Sequence, residues 1–150
     1  MDKITEKEAR RVFTEEHLNC AQLVFVDAAK RLGWDADAAF RVSAGFGGGM
    51  YHGGVCGCVT GALMAIGLKH GAYAPADPEA KEAFIGLAET FQKRFAERQG
   101  SLVCRELLGN SYIPHSQYET QAAETGDEDR FGICPSLAAF TCELLEEFLR

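Results

Sequence analysis

The chain has no excess of positive charge: 15 lysines and arginines stand against 22 aspartates and glutamates, for a formal charge of −7 and a pI near 5.1. That leaves no basic patch to track phosphates, which argues against nucleic-acid binding and against docking on an anionic membrane. A bilayer-spanning run is missing too. The longest uncharged helical stretch, Val55 to Leu68, falls short of the roughly 20 residues a bilayer needs and reads as a buried core helix. Residues 1–19 hold no apolar h-region, and no arginine pair precedes a hydrophobic run, so no export signal is read and a cytoplasmic location is expected. No segment of any length shows a strand period, and there is no internal repeat. The expected fold is all-α, a single domain over residues 1–150, long enough to bury roughly 70% of its unfolded surface without cross-links.

Several chemical signatures are also absent. Gly-x-x-x-x-Gly-Lys-Ser/Thr and Gly-x-Gly-x-x-Gly do not occur, which weakens nucleotide binding. Cys-x-x-Cys and Cys-x-x-Cys-His do not occur, which argues against a thioredoxin-type motif and covalent haem.

The helix signals are clear. Thr5 and Glu8 form a capping-box pattern for a first helix over residues 5–16, and Asn19 caps a second that runs from Cys20 to Gly33. Asp35 caps a third to about Ser43. A fourth starts near Val55, carries no charge until Lys69 and belongs in the middle of the fold. Asp77 and Pro78 open a long helix with an apolar stripe of Phe84, Leu87, Ala88, Phe91 and Phe95, stopped by Gly100. Ser101 caps a short one over Leu102 to Leu108. Residues 110–132, with an acidic run from Glu124 to Asp129, read as a long loop. Cys134 and Pro135 start a last helix to about Leu149, giving six helices or so.

Eight of the 16 glycines fall between Gly45 and Gly61, where the chain can turn with positive φ and backbone can approach closely. Gly48, Gly49, Gly54 and Gly57 are the candidates for cradling a group at the site, with the loop lying over Cys56 and offering N–H groups to its sulfur. Within the fourth helix Gly57, Gly61 and Ala65 recur every four residues. They form a smooth face that could meet a neighbouring helix or, in a homodimer, a second copy.

Four of the six cysteines, Cys20, Cys56, Cys104 and Cys134, fall in the first turn of an expected helix. A helix start favours thiolate over thiol, but at roughly 1 kcal/mol it lowers a thiol pKa only from about 8.5 to about 7.8. Full ionisation needs a further partner, and four convergent thiolates would repel one another. A metal centre or reversible disulfide pairing resolves that repulsion. The spacings from Cys20 to Cys56, on to Cys104 and on to Cys134 do not match zinc knuckles. Cys58 lies about 200° round an ideal helix from Cys56, and Cys142 about 12 Å along the axis from Cys134, so both read as buried hydrophobes. Of the histidines, His52 in the glycine loop is the one to test, with solvent exposure as its ordinary reading.

At these residues the sequence resembles a family of redox-active bacterial proteins named for a Cys…Cys-Gly-Ala-x-x-Gly…Cys…Cys pattern. Asn19-Cys20-Ala21-Gln22, the glycine-rich Gly45 to Gly61, Ser101 to Gly109 around Cys104, and Cys134-Pro135 carry the likeness, which covers nearly the whole chain. Cys58 stands where the pattern has alanine. The resemblance implies a redox role for Cys20, Cys56, Cys104 and Cys134, and related cysteine-patterned domains raise iron–sulfur binding. The leading expectation is an electron-transfer protein whose four cysteines bind an iron–sulfur cluster and serve a partner oxidoreductase. A thiol-disulfide oxidoreductase with Cys56 as nucleophile is the enzyme alternative. A zinc-bound or metal-free helical interaction module is the third.

Overall fold

A computed structural model of the protein describes residues 2–117 and 131–150. Most of the expected loop over 110–132, including its acidic run, lies outside the described residues. The described residues form seven α-helices with short 3-10 and π turns between them. α1 (Glu6–Arg11) is capped by the Thr5 hydroxyl, which accepts from Glu8 N, and runs on as a π turn over Val12–Glu16. It ends at His17 in the left-handed region, with φ 59°. α2 (Cys20–Arg31) opens with a full capping box: Asn19 Oδ1 accepts from Gln22 N, and Gln22 Oε1 from Asn19 N. Asp35 caps α3 (Ala36–Ser43).

α4 (Gly57–His70) is the central helix, as its lack of charge predicts. Val59, Ala62, Ala65 and Ile66 are fully buried. Its smooth face is filled by α2 of the same chain. A Cβ on Gly61 would sit 2.7 Å from Ala21 O and 3.3 Å from Val24 Cβ, so only glycine lets the two backbones come this close. That face therefore offers no surface to a second copy. α5 (Pro78–Gln99), capped by Asp77, buries Phe91 and Phe95 completely. Phe91 meets Phe148 edge-on at 5.4 Å between ring centres, and Phe95 meets Phe140 at 5.9 Å. Phe140 and Phe148 belong to α7 (Cys134–Phe148), which also packs on α1, α2 and α4.

Two helix starts differ from expectation for one reason. α4 begins at Gly57 rather than Val55, and α6 (Cys104–Leu108) at Cys104 rather than Leu102. The residues before each helix pair with one another instead. Val55 and Val103 form an isolated antiparallel bridge, with Cys56 N donating to Leu102 O at 2.7 Å and Cys104 N donating to Gly54 O at 2.6 Å. Ser101 Oγ accepts from Val103 N and so shapes the turn into this bridge rather than capping the helix.

Candidate functional site: a thiol-lined cavity

The bridge aligns two of the four helix-start cysteines. Cys56 is the N-cap of α4 and Cys104 the first residue of α6, and the two bonds hold their segments against each other, Cys56 across from Leu102 and Cys104 across from Gly54. Cys20 opens α2, and Cys134 opens α7 with its N–H donated to Phe131 O at 2.9 Å. All four line one cavity of about 240 Å³, and Cys58 lines it as a fifth. Phe13, Leu18, Leu107, Leu108, Phe131 and Leu137 make its apolar wall. Among the described residues none of its lining is lysine, arginine, aspartate or glutamate.

Electrostatics in this uncharged setting separates the thiols. Cys20 is lowered to about 6: first by the Cys58 thiol donating to its sulfur, then by the N–H groups of Gly48, Cys20 and Ala21, all against the opposing effect of burial. Cys58 is pushed far up, because its proton is held toward Cys20 and Cys56 and its surroundings are dry. Cys104 is pushed up to about 12, mainly by burial and further by the Cys20 and Cys56 sulfurs. Burial likewise pushes Cys134 up, with the neighbouring sulfurs adding to it. The result favours a thiolate at Cys20 beside protonated Cys58, Cys104 and Cys134. The further partner that a helix start needs turns out to be a neutral thiol rather than a cation.

The glycine loop reaches Cys20. Gly48, Gly49, Met50 and Tyr51 have φ values of 58°, 64°, 60° and 60°, a run of four left-handed residues. The two non-glycine members cost roughly 1–2 kcal/mol each, a strain of the kind that gathers at functional sites. The turn aims Gly48 N–H at the Cys20 sulfur. It also brings Tyr51 over the cavity mouth, where Asn19 Nδ2 donates to Tyr51 Oη at 3.1 Å and the ring meets His115 edge-on. Of the four glycines singled out, Gly48 lines the cavity; Gly49 and Gly54 close the turn, with Gly54 N donating to Gly49 O. Gly57 acts by its bareness, since a Cβ there would meet Cys20 Sγ at 2.7 Å.

Two assignments change with the structure in view. Cys58 belongs to the site: turning it away from Cys56 assumes an ideal helix through both, but Cys56 has φ −51° and ψ 133° and stands outside the helix. His52 is exposed, as its ordinary reading has it, and its carbonyl accepts from Arg105. His17 and His115 line the cavity instead, and both arrive there through tertiary folding that no local pattern announces. Cys142 is buried away from the cavity, near Asp27, Arg31 and Glu146, as expected of a core thiol.

Helix-start cysteines on four different helices, gathered on one cavity, are the arrangement that a redox family's sequence pattern would encode. The family model described as "Putative redox-active protein (C_GCAxxG_C_C)" matches residues 18–148. The chain belongs to this family. No curated protein and no solved structure matches it. As a C_GCAxxG_C_C protein it is redox-active by family, and the matched span takes in every residue of the thiol cavity except Phe13 and His17. In kind, the thiols fit the Cys₄ donor set of an iron–sulfur cluster. Among the described residues, no three histidine, cysteine, aspartate or glutamate side chains converge closely enough to hold a single metal ion. No described helix is long and apolar enough to cross a membrane.

Proposed function

We propose that the protein carries electrons by reversible thiol–disulfide oxidation within the cavity, two cavity thiols giving up two electrons and two protons to form one disulfide. The observation that carries this reading is the linked trio in which Cys58 lies in hydrogen-bond reach of both Cys20 and Cys56. Sulfurs already joined by a shared proton become bonded when they approach and give up that proton and two electrons to an oxidant. Cys20, rather than Cys56, is the nucleophile in this reading, because its sulfur receives both the Cys58 proton and the helix-start N–H groups. A partner oxidoreductase would restore the thiols, and a cytoplasmic setting would keep them reduced.

An iron–sulfur cluster is the second reading, favoured by the four helix-start thiols that share one cavity. Cys20, Cys56, Cys104 and Cys134 would hold it, and a bound cluster would supply one-electron transfer. The chain's own contribution would be dry walls and the Gly48 N–H. Zinc is supported least, since a structural site asks for four donors around one point. Anaerobic purification decides between these readings. Colourless, metal-free protein that reversibly loses two free thiols on oxidation is the expected result. Brown protein with stoichiometric iron and sulfide, or a thiol count indifferent to oxidant, would overturn it.

A further inference from the structure

Cys58 is 1% exposed and stands between two sulfurs with one proton to give. It comes from the first turn of α4, and Cys20 from the first turn of α2. The two helices close on each other at Gly57, beside the Cys20 sulfur. A bond between Cys58 and Cys20 therefore joins two separate elements that already touch. Bonding Cys58 to Cys56 is harder. Cys56 N is held by Leu102 O, and Cys56 O accepts from Val59 N at 2.9 Å and Thr60 N at 3.1 Å, so that bond would have to close inside the turn these contacts build. Cys104 and Cys134 lie on the same cavity, but neither shares a proton with Cys20.

We infer that Cys58 is the resolving thiol of Cys20, so that the oxidised protein carries a Cys20–Cys58 disulfide, and that the cavity accepts small, uncharged disulfides as oxidant. The inference rests on the thiol-cycling reading above. Apolar walls that carry, among the described residues, no lysine, arginine, aspartate or glutamate to pair with a charged group select for uncharged molecules. In the first step the Cys20 thiolate attacks R–S–S–R; a Cys20–S–S–R bond forms, and R–S⁻ leaves. In the second step the Cys58 sulfur attacks the Cys20 sulfur of that mixed disulfide. The Cys20–Cys58 bond forms, the second R–S⁻ departs, and the Cys58 proton passes to it to give R–SH. Two protein thiols have been oxidised, and one disulfide has been reduced to two thiols.

4,4′-Dithiodipyridine, an uncharged aromatic disulfide that releases a coloured thione, tests this at one molecule per reduced full-length chain. The wild type should release both halves and yield a linked peptide pair whose fragments place the bond at Cys20 and Cys58. C58S should release one half and retain the other on Cys20, while C142S, altered outside the cavity, should release both. If C58S releases both halves, or the bond maps to Cys56, Cys104 or Cys134, Cys58 is not the resolving thiol although the thiol cycle stands. If the wild type keeps the adduct or does not react, the thiol cycle fails and the inference with it. Should C58S not fold, peptide mapping of the wild type decides alone.

Discussion

A thiol with a pKa near 8.5 is only a few per cent ionised at pH 7, and one helix end moves it by less than a unit. Cys20 reaches about 6 because the Cys58 thiol donates to it. Its alkylation by iodoacetamide should follow a titration with a midpoint near 6, and Cys58→Ala should move that midpoint toward the ordinary thiol range. A midpoint unmoved by the substitution would remove Cys58 from the account. Since the folded value lies below the unfolded one, the stability that Cys20 contributes is present above the unfolded value and lost as pH falls through about 6. Cys142 behaves in the opposite way. Burial first, then Asp27, push it up from 9.0 to about 12. Its contribution is complete below the unfolded value and is lost as pH rises, by up to about 1.4 kcal/mol per pH unit. Urea unfolding of the wild type and Cys142→Ala across alkaline pH should show a shallower decline for the variant; parallel declines would place the titrating group elsewhere.

Between elements, the contact of α2 with α4 is the one on which the site depends. Gly57→Ala puts a Cβ 2.7 Å from Cys20 Sγ and 2.9 Å from Phe46 O, so the helices must part, at about 1–3 kcal/mol. Gly86 in α5 has nothing within 4 Å of its Cβ position, and Gly86→Ala should stabilise by roughly 0.5–1 kcal/mol. Urea unfolding of the two variants checks both signs, and Gly57→Ala should also raise the Cys20 midpoint. The caps at Thr5, Asn19, Asp35 and Asp77 are legible in the sequence because each joins near neighbours within a single turn. The starts of α4 and α6 are not legible, because the Val55–Val103 bridge joins segments that no local window contains.

For the whole molecule, stability should be lowest around the site and highest beneath it. α2 buries seven of its 12 residues and α4 seven of its 14, whereas α3 buries only Ala39 and Ser43, and in the loop that follows Ala44, Gly45, Met50, Tyr51 and His52 are exposed. Native-state hydrogen exchange should find the slowest amides in α2 and α4, with faster exchange in α3 and over 44–54. Uniform protection across both regions would contradict this ordering.

The sequence by itself determined the all-α class, the central uncharged helix and the placing of four cysteines at helix starts. Each of these follows from spacing along the chain and from the chemistry of caps. That those four thiols share one cavity, that Cys58 joins them, that the glycine loop serves Cys20 and that α2 fills the smooth face of α4 were decided by tertiary structure. These are relations between segments distant along the chain, set by which backbones can approach and which buried groups must share a proton.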